Sequence, residues 1–152
     1  MRNSIILILL LSSLFGFSQS QTFTKEDTLF GSNHALRSWW EVVMYNIAVK
    51  PDFETKTISG YTEICYVKAS DTESSFMQLD LQDPMKIDSI YFLKKKQKKI
   101  HVDFKKENNR WIVTLPKYQP FSSLKNLLVY FSGKPHEAKN PPWDGGWVWK
   151  KD

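Results

Sequence analysis

Between Val42 and Val67 apolar and polar positions alternate with a period of two. Val43, Tyr45, Ile47 and Val49 are interleaved with Met44, Asn46, Ala48 and Lys50, the spacing of a strand with two distinct faces. Pro51 and Asp52 are expected to stop this strand, because proline has no N–H to give to a ladder. Thr57 to Val67 runs extended again and is rich in β-branched and aromatic residues. Gly60, inside that second run, marks a bulge or a place where another backbone comes close. The remainder of the domain is predicted to add further sheet to this pair.

Downstream, Phe76 to Leu81 reads as a short strand that Asp83-Pro84 breaks. Lys86 to Leu93 resumes it. Ile100, Val102 and Phe104 alternate after a lysine-rich turn, and Trp111, Val113 and Leu115 alternate after Glu107-Asn108-Asn109. Leu124 to Phe131 is almost continuously apolar, which predicts cover on both faces. No segment keeps a helical period over three turns. About seven strands, separated by turn signals at close to the roughly 8–12 residues usual in sandwiches and barrels, predict an all-β fold. The expected form is an antiparallel β-sandwich or saddle-like sheet, with successive strands paired as a meander. Trp147-Val148-Trp149, after the Pro- and Gly-rich loop Asn140 to Gly146, reads as the start of one more strand.

The N-terminus has another pattern. Arg2 precedes an unbroken apolar run from Ile5 to Leu11, extended by Leu14 to Phe17, and Ser18 and Ser20 are small residues at signal-peptidase spacing. The run is shorter than the roughly 20 apolar residues of a spanning helix. Residues 1–20 are therefore expected to be a cleaved signal peptide, with no permanent membrane anchor. Residues 21–35 form a polar lead-in, and 36–152 a single domain in the periplasm or outside the cell.

Charge and candidate chemistry narrow the function. The formal charge is +5, with much of the excess in Lys94, Lys95, Lys96, Lys98 and Lys99. That cluster lies between two strand-like runs and reads as a solvated hairpin tip, so no nucleic-acid partner is expected. Cys65, the one cysteine, excludes an intramolecular disulfide and reads as a small core hydrophobe. Of the three histidines, His34 falls in the lead-in and His101 points outward from a strand. His136 begins a His-Glu pair, but the zinc motif HExxH needs a second histidine where Asn140 stands. Pro135 and Pro141 also oppose a helix there. No catalytic or metal-binding residue is assigned. Of six tryptophans, Trp111 reads as core. Trp39 and Trp40 at one end of the domain, and Trp143, Trp147 and Trp149 at the other, are candidates for an interface with something outside this chain.

Taken in order, several of these pieces resemble the N-terminal domain of the aminopeptidase N family of zinc metallopeptidases, the gluzincins. They are Trp39-Trp40-Glu41-Val42, Tyr45 to Pro51, Lys56 to Gly60, Leu79 to Ile90 and Tyr130 to Pro135. The loop Asn140 to Gly146, with Trp147-Val148-Trp149 behind it, is similar to the exported bacterial branch. The resemblance implies a β-rich saddle that walls a substrate cleft beside a separate catalytic domain, in cis or in trans. There zinc polarises the peptide carbonyl and activates water, and the motif glutamate is general base. It implies zinc for the full-length enzyme and none in this chain, peptide as substrate, and a Gln or Glu for the substrate amine just beyond Asp152. A second reading is a stand-alone exported binding module that uses the terminal tryptophans for glycan or peptide. A third is a scaffold remnant that pairs with a separately encoded catalytic chain.

Overall fold

The computed structural model describes residues 28, 31–70, 75–94, 98–116 and 123–150. The segment expected to be a signal peptide and most of the expected lead-in lie outside them. By compactness the chain divides into Met1–Ser32 and Asn33–Asp152. In the first unit the Ser32 N–H donates to the Thr28 carbonyl at 2.9 Å. The second unit is the β-domain.

Its eight strands are β1 (Trp40–Asp52), β2 (Thr57–Lys68), β3 (Phe76–Asp80), β4 (Lys86–Leu93), β5 (Lys99–His101), β6 (Phe104–Glu107), β7 (Arg110–Thr114) and β8 (Lys125–Gly133). They form two antiparallel sheets, a five-stranded one in the order β1-β2-β8-β4-β5 and a three-stranded one in the order β3-β7-β6. The fold is a β-sandwich. The meander holds for β1–β2, β4–β5 and β6–β7, but β3 does not pair with β2 or β4. It leaves for the smaller sheet, pairs with β7, and buries Met77, Gln78 and Leu79, because the inner face of the larger sheet needs a covering layer.

The eighth strand comes from a corner. The alternating run Ile100-Val102-Phe104 divides between the two sheets, β5 ending at His101 and β6 starting at Phe104. At the corner the Val102 N–H donates to Ile90 O at 3.0 Å in one sheet, while Asp103 O accepts from the Thr114 N–H at 2.8 Å in the other. Such sheet-switching is how strands turn corners in sandwiches. Among the described residues Trp147-Val148-Trp149 adds no strand; the tail there makes one parallel bridge, Glu137 to Trp147.

The core fills the space between the sheets. Ile64, Tyr66, Ile87, Ile90, Leu127 and Val129 from the larger sheet meet Met77, Leu79, Trp111 and Val113 from the smaller. Leu127, Leu128 and Val129 are buried in succession, as the apolar run in β8 predicts for a strand covered on both faces. Trp39 belongs to this core. It packs edge-on to Tyr66 at 6.3 Å, and its indole N–H donates to Phe76 O at 2.8 Å. Trp40 packs on the other side of Tyr66 at 5.9 Å. The N-terminal tryptophans thus bind the two layers together.

In β1 and β2 the alternation survives with one irregularity, a bulge between Val42 and Met44. Tyr45 lies opposite Ile64 and Ile47 opposite Thr62. β1 continues through Pro51 to Asp52, which an edge strand tolerates because one side is unpaired. Gly60 is the close approach. A Cβ there would sit 2.0 Å from the Ala48 carbonyl oxygen, and backbone cannot move aside as a side chain can. Gly60→Ala is expected to destabilise the domain by about 2–3 kcal/mol, as overpacking does, while Gly145→Ala, with nothing within 4 Å, is expected to be nearly neutral. Urea unfolding of the two variants checks this.

Candidate functional site

The smaller sheet covers only part of the inner face of the larger one. Beyond it opens a groove of about 670 Å³. β2 contributes Ile58, Thr62 and Ile64, β8 contributes Val129 and Phe131, β4 contributes Ile87, and β1 contributes Tyr45 and Ile47. Gln78 to Asp83 and Met85 line it from the β3 side, and Pro135, His136, Gly146 and Trp147 from the tail. The groove is thus mostly apolar with a few polar groups on one side, the usual make-up of a binding surface.

Those polar groups are tied together. The Gln78 Nε2 donates to Asp80 Oδ1 at 2.8 Å, and Arg37 holds the other Asp80 oxygen at 3.0 Å. Gln78 is 2% exposed, yet its Oε1 has no hydrogen-bond partner. A buried carbonyl oxygen without a donor costs about 1–3 kcal/mol, and native structures rarely keep one without a reason.

The tail is built as a closed loop. The Trp147 N–H donates to His136 O at 2.8 Å, and the Ala138 N–H to Trp147 O at 3.0 Å. Gly146 has φ of +143°, and a Cβ there would lie 2.7 Å from the Ala138 nitrogen, so only glycine closes the loop. The Asp144 carboxylate accepts the N–H groups of Lys139 at 2.6 Å and Asn140 at 2.8 Å. Lys56 pairs with Glu137 at 3.1 Å, which joins the loop to the β1–β2 turn.

This loop distributes the three candidate interface tryptophans. Trp147 reaches the groove and stacks on Trp149 at 5.4 Å. Trp149 in turn packs edge-on against Phe53 at 5.5 Å. Trp143 stands 89% exposed. Thus two tryptophans form a stack beside the groove, and the third projects into solvent.

The other sequence candidates are scattered. His34 accepts the Leu36 N–H through Nδ1 at 3.4 Å, His101 sits edge-on to Tyr91 at 5.5 Å on β5, and His136 lies at the groove. Cys65 is buried; burial, and then the nearby Glu63 carboxylate, push its thiol up, away from nucleophilic use. Among the described residues no group of three His, Cys, Asp or Glu side chains could hold a metal ion. They do not fit zinc. Of the lysine cluster, Lys95 and Lys96 lie outside the described residues. The Lys94 N–H donates to Lys98 O at 2.9 Å to close the β4–β5 turn, and Lys99 sits over the rings of Tyr91 and Tyr130. The groove itself went unread in the sequence. Its one signal was that Tyr45, Ile47 and Val49 present an apolar row on a strand with no later strand to cover it.

No family model and no curated relative matches the chain in sequence. The fold does have solved counterparts. A mutant M1 zinc metallopeptidase from Deinococcus radiodurans bound to a Tyr-Ser-Ala substrate matches with a TM-score of 0.53 at 18% identity, over 69% of this chain and 22% of that one. Another structure of an M1 zinc metallopeptidase mutant from Deinococcus radiodurans matches with a TM-score of 0.54 at 17% identity, over 69% and 23%. A two-domain M1 zinc metallopeptidase mutant bound to L-arginine matches with a TM-score of 0.54 at 16% identity, over 72% and 25%. The likeness is one of fold, and the chain spans about a quarter or less of the length of these enzymes.

The geometry gives two expected outcomes. Burial pushes the Asp144 carboxyl up, but the N–H donors of Lys139 and Asn140 outweigh it, so it ionises below its ordinary 3.8. A depressed carboxyl stabilises the loop fully above its ordinary pKa and loses that contribution as pH falls through the lower folded value. Tryptophan fluorescence is expected to stay flat from neutral pH to about 4 and to change below it, and Asp144→Asn should abolish that step. Second, Gln78→Met removes the unpaired oxygen but also the Nε2 hydrogen bond to the Asp80 carboxylate. The two effects oppose each other, so stability is expected to stay within about 1 kcal/mol of the parent, measured by urea unfolding.

Proposed function

We propose that this chain is a non-catalytic β-domain of an exported zinc aminopeptidase, in which it walls the peptide cleft and seats a catalytic domain against its open groove. The observation that carries the reading is the groove, a face too apolar to be left in water and holding one buried acceptor without a donor. The fold likeness to M1 zinc metallopeptidases, each several times as long as the matched region, supports the assignment, as do the sequence pieces from Trp39 to Pro135 and the Asn140 to Gly146 loop.

In this reading the chain performs no chemistry itself. Its sheets hold a fixed surface, and Trp147 and Trp149 beside the groove, with Trp143 projecting, contact the catalytic domain. Zinc, the attacking water and the general base belong to that domain, which removes residues from peptide N-termini. The apolar stretch Ile5 to Phe17 directs export, and residues 1–20 are cut away to leave a periplasmic or extracellular protein.

The exposure of Trp143 fits a second reading, a stand-alone module that binds glycan or peptide through its tryptophans. The coding sequence beyond the Asp152 codon and the response to ligand separate the two readings. With zinc added, the 152-residue chain is expected to release no product from aminoacyl-anilides, and its coding frame is expected to run on into an HExxH segment. Zinc-dependent turnover by the chain alone would overturn the proposal. A stop codon directly after Asp152, together with a fluorescence response to glycans that Trp143→Ala removes, would establish the second reading instead.

A further inference from the structure

Four strands lie at the edges of the two sheets, and three of them are guarded. β5 is three residues long and starts with Lys99. β6 carries Lys105 and Lys106. β3 has five residues and ends at Asp80, which pairs with Arg37. Short strands and charges are the ordinary defences against edge-to-edge pairing. β1 has neither. It is the longest strand, with 13 residues, and it occupies the end of the five-stranded sheet. Val42, Val43, Met44, Tyr45, Ile47 and Val49 are all exposed, and no charge interrupts the stretch between Glu41 and Lys50.

We propose that this edge is covered by the same edge of a second copy, β1 against β1, antiparallel about a two-fold axis at Asn46. Faces and charges set the register. The inner face of β1 carries Tyr45, Ile47 and Val49, opposite Ile64, Thr62 and Gly60 of β2, and its outer face carries Met44, Asn46, Ala48 and Lys50. A two-fold axis normal to the sheet must place inner residues opposite inner ones, since a one-residue slip reverses every side chain. With the axis at Asn46, Tyr45 meets Ile47 of the second copy and Met44 meets Ala48. The extra residue of the bulge at Val43 then lets Val42 and Val43 together face Val49, so that Glu41 falls opposite Lys50. By symmetry this happens twice, once at each end of an otherwise uncharged ladder.

Neighbouring registers are worse. With the axis at Ile47, the same count puts Glu41 opposite Asp52. With it at Tyr45, Glu41 and Lys50 both lose their partners. Opposite charges directly across a ladder stabilise it and like charges destabilise it, so the two charged residues select one alignment of an edge whose apolar residues alone would accept several. The pairing uses the backbone edge of β1 and leaves the groove open, and it does not depend on the aminopeptidase reading.

The test is sedimentation velocity on protein expressed from the full 152-residue sequence, over a wide range of concentration. The parent is expected to form a concentration-dependent dimer. Glu41→Lys places lysine opposite lysine, and Lys50→Glu places glutamate opposite glutamate; each is expected to weaken dimerisation about tenfold. The double variant Glu41→Lys/Lys50→Glu restores opposite charges and is expected to recover parental affinity. Both positions are exposed, so the variants should fold, which circular dichroism checks. A monomer at every concentration would overturn the proposal, and so would an oligomer that ignores all three variants.

Discussion

Three strands cannot cover five, and most of what is distinctive in this domain comes from that mismatch. Trp111, Val113, Met77 and Leu79 from the small sheet seal the end of the large sheet where Tyr66, Leu127 and Ile90 lie. Past them the same inner face continues through Thr62, Phe131 and Ile47, which line the open groove. A fully paired sandwich would bury this surface at about 25 cal/mol per Å². Here the gain is left unrealised, and the Gln78 carbonyl is left without a donor beside it.

The large sheet also depends on the order in which its strands arrive. β8 is last in sequence and lies in the middle, between β2 and β4. Thr62 waits on Val129 and Ile64 on Leu127, more than sixty residues away. Until β8 enters, the β1–β2 hairpin is an isolated ribbon, and such ribbons are marginal in water. Closing so long a loop is slow relative to local pairing. The run Leu127-Leu128-Val129 is the counterweight, since each of these residues is buried and the central strand is the most buried in the sheet.

Much of this was legible in the chain itself. The alternation in β1 and β2 and the uniform apolarity of β8 are local signals with direct physical meaning, and Cys65 and Trp111 lie buried where their strand contexts place them. What escaped was the assignment of strands to sheets. Nothing in Ile100-Val102-Phe104 shows that the chain turns a corner at Val102-Asp103, because both halves keep the same period. Trp147-Val148-Trp149 has strand composition but joins no ladder; Trp147 stacks on Trp149, and Trp149 packs edge-on against Phe53 instead. Trp39 and Trp40 could serve an interface or a core equally well by composition. The indole N–H of Trp39 bonded to Phe76 O decides for the core, and that bond spans two sheets. The groove was illegible for the same reason: it is defined by where a second layer stops.

The domain therefore carries two unmet demands of different kinds. The groove lacks apolar cover and one hydrogen-bond donor, and any rigid body of the right shape can supply these without adding a strand. The β1 edge lacks a row of backbone partners, which only another extended segment can supply. A catalytic domain seated on the groove would not quiet the edge, and a second copy paired along the edge would not fill the groove. Tyr45 and Ile47 stand at the junction, with side chains in the groove wall and backbone in the edge strand.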